Sequence, residues 1–182
     1  MPEPDSSHLR DIGALASWAV SSAKPGYGVE HLRNNNTATI WQSEGAQPHL
    51  ISIQFNKKQS VSQVWLHADI ALDDSYTPHK VSVRAGSYHG DLQEVKWVEL
   101  NQPKGWQVLK LGGATKPADQ AGPEEEEPIR AHLIQIAIIS NHMNGKDTHV
   151  RGIKVFAPRP LDLEDDLLPF REPLFQQHET IR

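Results

Sequence analysis

Between Asn141 and Arg151 the chain reads Asn-His-Met-Asn-Gly-Lys-Asp-Thr-His-Val-Arg, its densest run of side chains able to do chemistry. A plain hairpin would be satisfied by Asn144-Gly145 alone, and the Asn, Asp and Thr fit a long turn that caps its own backbone. Two His and an Arg are not turn residues and need another reason to be there. As a metal site the run would offer His142, Asp147 and His149, at a spacing that matches none of the usual zinc arrangements. As a catalytic site it would need a nucleophile beside a base, and with no Cys and no Gly-x-Ser-x-Gly turn only ordinary Ser and Thr are on offer. As a binding site it supplies amides, hydroxyls, imidazoles and a guanidinium, which suit a peptide or a sugar.

Two further polar clusters precede strand-like segments. They are Trp41-Gln42-Ser43-Glu44-Gly45-Ala46-Gln47-Pro48-His49 and Asp73-Asp74-Ser75-Tyr76-Thr77-Pro78. Trp41 is expected in the core and Thr77-Pro78 in a turn. In a β-sandwich the loops gather at two ends, so the three clusters form one shallow cup if they share an end.

The segments that must position them alternate with a period of two. Leu50 to Phe55 puts Ile51, Ile53 and Phe55 on one face, as a half-buried antiparallel strand does. Val61 to Leu66, Val81 to Ala85, Glu94 to Leu100 and Trp106 to Leu111 read the same way, and His149 to Ala157 gives a last strand. Leu133 to Ile139 is almost wholly apolar and Ile-rich, the signature of a strand covered on both faces. Strands without crossover helices predict an all-β sandwich or jelly roll. Leu9, Ile12, Leu15, Ala16 and Ala19 recur at helical spacing before Lys24-Pro25-Gly26, predicting a short N-terminal helix.

Of 182 residues, 18 are Lys or Arg, 23 are Asp or Glu, and none is Cys. One domain with tails fits that length, and disulfides and Cys-based zinc sites are excluded. No apolar run approaches the roughly 20 residues of a membrane span. Met1 to Arg10 is polar where a secretory signal would be apolar, giving the expectation of an intracellular protein. The acids concentrate in Ala114 to Pro128, net −4, and Pro158 to Arg182, net −3. What remains is too weakly basic, and too unclustered, for nucleic-acid binding. The first acidic stretch reads as a solvated insertion and the second as a tail.

Lys24-Pro25-Gly26-Tyr27-Gly28, Leu32-Arg33, Trp41-Gln42-Ser43 with Gln47-Pro48-His49, Asp74-Ser75-Tyr76-Thr77-Pro78, Gln135-Ile136-Ala137, and Asn141-His142 through Asp147-Thr148-His149 follow one another in the order of a known family. Over residues 10 to 157 the chain resembles the Doc domain family. The resemblance implies a jelly roll of the galactose-binding type over 10–157, after an extension over 1–9 and before a flexible tail over 158–182. It implies a non-catalytic subunit of the anaphase-promoting complex, a ubiquitin ligase, without cofactor or metal, at work in the nucleus and cytoplasm. Such subunits act with a WD40 coactivator as co-receptor for destruction-box degrons and make ubiquitination processive.

Carried over residue by residue, the degron-binding surface draws on Ser75, Tyr76, Asn141, His142, Asn144, Asp147, Thr148, His149 and Arg151. The terminal Ile181 and Arg182 correspond to a dipeptide that docks in a TPR scaffold subunit. Physically, a guanidinium and a terminal carboxylate make charge-assisted hydrogen bonds while an Ile fills an apolar slot. Glu44, Asn34 and Met143 depart from the family pattern, and Met143, a thioether in place of an amide, stays off the site. The alternative from another class is a carbohydrate-binding module, since jelly rolls present similar side chains to sugars.

Overall fold

The computed structural model describes residues 3–112 and 127–159. Among the described residues eleven strands run in the order β1 Leu9–Asp11, β2 Ala16–Val20, β3 Trp41–Gln42, β4 His49–Val61, β5 Gln63–Asp69, β6 Pro78–Gly86, β7 Gln93–Glu99, β8 Lys104–Lys110, β9 Ile129–Asn141, β10 His149–Val150 and β11 Gly152–Pro158. A single turn of α-helix, α1 Ile70–Asp73, joins β5 to the loop before β6. One sheet has the order β2-β4-β9-β6-β7 and the other β1-β11-β5-β8, with β3 and β10 paired as a small ribbon. All of these pairings are antiparallel.

The Ile-rich segment takes the middle of the larger sheet. Ile134, Ile136 and Ile138 of β9 face inward with Ile51 and Ile53 of β4 and Val81 and Val83 of β6. Val64, Leu66, Ile153 and Val155 come to the same core from the other sheet. On the opposite face of β9, Leu133, Gln135 and Ala137 are also buried. Both faces being covered is why the alternation disappears there.

The helix expected after Leu9 is replaced by two strands. Leu9–Asp11 pairs with β11, Gly13–Leu15 forms a 3-10 turn, and Ala16–Val20 pairs with Phe55–Ile51 of β4. Leu9, Ile12, Ala16 and Ala19 fit a helical stripe, yet Ala16, Trp18 and Val20 fit a strand equally well and pack on the core. Sheet pairing decides between patterns of similar local propensity. Leu15, which a helix would have buried, is half exposed. The last expected strand is divided at Arg151: His149 and Val150 turn toward Gln42 and Trp41, while Gly152 onward pairs with β5. Residues 113–126 of the acidic insertion and residues 160–182, with Ile181 and Arg182, lie outside the described residues. Among the described residues no helix is long and apolar enough to cross a membrane.

Because β9 is central, truncating it should be felt by the whole sandwich. Ile136→Ala is expected to lower the unfolding free energy by about 2–5 kcal/mol in urea titrations, the range for emptying a fully buried aliphatic site.

Candidate functional site

The three polar clusters meet at one end of the sandwich. The turn after β9 is held against the α1–β6 loop by the His142 amide donating to the Thr77 carbonyl, 2.9 Å. A Cβ built on Gly145 would overlap the Ser75 carbonyl, so only glycine permits this approach. The segment before β4 closes the other side: Gln47 Nε2 donates to the carbonyls of Gly145 and Lys146, and His49 Nε2 to that of Lys146 at 2.6 Å. Ser43 Oγ accepts from the Thr148 amide, 2.9 Å. Met143 and Asn144 both take left-handed backbone conformations, which turns the chain sharply and sends their side chains outward, where both are exposed.

Beneath this rim sits a carboxylate. The Asp73 side chain is 2% exposed and receives Arg151 twice, Nε to Oδ2 and Nη2 to Oδ1, both at 2.7 Å. His149 Nδ1 lies 3.1 Å from Oδ1, and since a carboxylate only accepts, that nitrogen carries the proton. Burial opposes ionisation of Asp73, but the hydrogen bonds and charges of His149 and Arg151 outweigh it and hold the carboxyl below its ordinary value of 3.8. The same pairing raises Arg151 further above its usual range. Arg151 Nη1 donates to the Thr37 carbonyl, 3.0 Å, adding the loop before β3 to the assembly. His67, on the neighbouring strand, is pushed down by burial and by the Arg151 charge.

The Tyr76 ring stacks on His149, centroids 4.2 Å apart and planes within 9°. Tyr76 is 40% exposed and supplies the aromatic surface of the cup. Trp41 does not: it is fully buried, with its Nε1 donating to the Ser22 carbonyl. Thr77 is buried as well, so its hydroxyl is not open to modification in this conformation.

The residues expected at the site divide into two kinds. Asn141 and Thr148 are buried and shape the loop: Asn141 Nδ2 donates to the Gly145 and Asp147 carbonyls, and Thr148 Oγ1 to that of Tyr76. His142 Nε2 donates to the Leu100 carbonyl at 2.8 Å, and Arg151 and His149 are committed to Asp73. Ser75, Tyr76, Asn144 and Asp147 keep their side-chain polar groups free of hydrogen bonds among the described residues; Tyr76 and Asn144 are exposed at the rim, and Ser75 and Asp147 are half-buried beside them. With His142 turned to Leu100 and His149 to Asp73, the metal set His142, Asp147 and His149 does not assemble, and among the described residues no cluster of three metal-ligating side chains occurs. Asp73 was not expected as a site residue. In the sequence it is one of several acids in a turn, and nothing local separates it from Asp69, which caps α1 at the Ala71 amide, or from Asp74.

The architecture and the loop sequences match a known group of proteins. A family model described as "Anaphase-promoting complex, subunit 10 (APC10)" matches residues 3–179. The chain belongs to the anaphase-promoting complex subunit 10 family. Anaphase-promoting complex subunit 10 of Drosophila melanogaster is 42% identical over 179 residues, covering 96% of this chain and 85% of that protein. The Homo sapiens subunit 10 is 45% identical over 150 residues, covering 82% of this chain and 76% of that one. Among solved structures, a family 32 CBM from C. perfringens NanJ in complex with galactose superimposes with a TM-score of 0.64 over 82% of this chain and 99% of that chain. At 14% identity the likeness shows the fold alone. The family's jelly roll of the galactose-binding type is therefore the fold of this chain.

Asp73→Asn should leave the Arg151 guanidinium nearly buried and facing an uncharged group, costing about 3 kcal/mol of stability at neutral pH. The folded-state value of Asp73 is depressed, so its contribution is present above pH 3.8 and is lost as pH falls through the lower folded value. In acid denaturation followed by circular dichroism, that part of the wild-type loss should be missing from Asp73→Asn.

Proposed function

We propose that the rim built by the α1–β6 loop and the β9–β10 loop holds a destruction-box degron together with a WD40 coactivator, making this chain a non-catalytic co-receptor of the anaphase-promoting complex in the nucleus and cytoplasm. The observation that carries the reading is the stacked Tyr76–His149 pair, which joins loops 73 residues apart in sequence into one surface. Ser75, Tyr76, Asn144 and Asp147 touch the degron directly. Asn141, His142, Thr148, His149 and Arg151 fix the surface from below. Pre-ordering of this kind matters because ordering side chains on binding costs affinity.

The chemistry supports gripping over transformation. Thr148 Oγ1 donates to a main-chain carbonyl and His149 presents its Nδ1 to Asp73, so these two rim residues do not form a hydroxyl activated by a base. A short extended peptide buries little area on a shallow rim, so affinity of this subunit alone is weak and becomes useful by avidity within the assembled ligase. Ile181-Arg182 supply the second attachment, to a TPR scaffold subunit, by the charge-assisted contacts available to such a terminus. The carbohydrate-binding alternative has the fold and the general polarity of the loops in its favour, and a glycan array tests it directly.

Replacing Asn144 and Asp147 together by Ala removes rim side chains that the loop does not use. The melting temperature and incorporation into the complex should stay at wild-type values, while ubiquitin chains on destruction-box substrates become shorter. Unchanged processivity would refute the degron surface. Deleting Ile181-Arg182 should reduce incorporation in competition with the intact chain and leave the melting temperature of the isolated protein in place; equal incorporation would refute the docking role.

A further inference from the structure

A two-layer sandwich ordinarily turns polar side chains outward from both sheets. The smaller sheet mixes polar and aromatic side chains on its outward face. The register places Trp106 and Val108 of β8 beside His67 and Trp65 of β5, on the face opposite Val64, Leu66 and Leu109, which pack into the core. Phe156 of β11 joins Trp65 from the same side, ring centroids 4.4 Å apart, and Leu9 completes a second hydrophobic cluster separate from the main core. Trp65, Phe156 and Leu9 are buried within that cluster, so the apolar surface it leaves open is the β8 side, where Trp106 is partly buried and Val108 exposed.

The charge around this cluster specifies what it contacts. Lys104 and Lys110 stand on the same outward face at the two ends of β8, and neither forms an ion pair among the described residues. Lys154 lies over the Trp106 ring, 5.2 Å from its centroid, and takes the carboxylate of Glu3 from the N-terminal segment. The chain's own start thus shows how this face receives an acid beside an aromatic ring. Val108, 39% exposed, lies on the same face between the unpaired lysines. β8 is also an edge strand, able to accept an extended segment by main-chain pairing.

We propose that the β8 side of this outer face is a second docking surface, for an acidic, apolar-bearing extended segment of another subunit of the assembly. Val108 and Trp106 receive its apolar side chains, and Lys104 and Lys110 its acids. That a neighbouring subunit supplies the segment rests on the family reading above; the chemistry of the surface does not. It uses none of the side chains assigned to the degron rim, so the two can be broken separately.

The test uses the full chain in a reconstituted complex, with a photo-crosslinking amino acid at position 108 and, separately, the triple variant Lys104→Glu, Val108→Glu, Lys110→Glu. All three side chains are exposed, so the melting temperature should hold. The variant should incorporate about tenfold less well than wild type in competition, as expected when a small cluster dominates an interface. The crosslink should map to an acidic, apolar-containing segment of another subunit. Complexes that do contain the variant should keep full processivity on destruction-box substrates, which separates this surface from the degron reading. Equal incorporation overturns the proposal, as does a crosslink to a basic segment, to a second copy, or to this chain's own residues 3–8, 113–126 or 160–182.

Discussion

The end of the molecule that matters is organised around one buried anion. Asp73 sits where a lone carboxylate would be strongly disfavoured, and it is tolerated because Arg151 meets it in a two-point fork and His149 supplies a third hydrogen bond. The α1–β6 loop, the β9–β10 loop and the loop before β3 are all attached to this group. Asp73 ends α1, Arg151 divides β10 from β11, His149 carries the stacked Tyr76, and Arg151 reaches back to Thr37. An ion pair of this kind is a poor source of net stability compared with apolar packing. What it supplies is geometry, by fixing the relative position of segments that no continuous strand connects.

The sheets provide the stiffness against which that geometry is held. Since β9 is covered on both faces and paired on both edges, the turn that follows it leaves from a fixed point. The turn then departs from ordinary hairpin form, with Met143 and Asn144 left-handed and Gly145 pressed on Ser75. Its carbonyls are taken up by Asn141, Gln47 and His49, side chains from both sides of the gap. A surface whose loop carbonyls are already taken up is suited to recognition, because little backbone remains to be ordered when a ligand arrives, although His49 Nδ1, Thr77 Oγ1, Asn141 Oδ1 and His149 Nε2 beneath it are buried without a partner among the described residues.

Much of this was legible from the chain alone, and the reasons for the exceptions are physical. Period-two segments such as Leu50 to Phe55 and the continuous apolar run of β9 identify themselves, since burial on one or two faces leaves a direct mark on sequence. The first twenty residues do not, because Leu9, Ile12, Ala16 and Ala19 satisfy either period and only the partner strands β4 and β11 choose. The polar composition of 141–151 announces a site, but composition does not separate side chains that face a ligand from those spent on the loop. Asn141 and Thr148 look like contacts and are supports; Asp73 looks like a turn residue and is the anchor. The roles of Thr148 and Asp73 depend on burial and on pairing across 70 or more residues, which no local pattern encodes.

The central claim, that the rim of Ser75, Tyr76, Asn144 and Asp147 grips another polypeptide on a preformed base, is tested most directly by hydrogen exchange. The full chain, assembled with its coactivator, would be compared with and without a destruction-box peptide. The account predicts slowed exchange confined to residues 73–77 and 141–151, with the strands beneath already protected before the peptide is added. Saturable peptide binding that leaves both segments exchanging as before would contradict it.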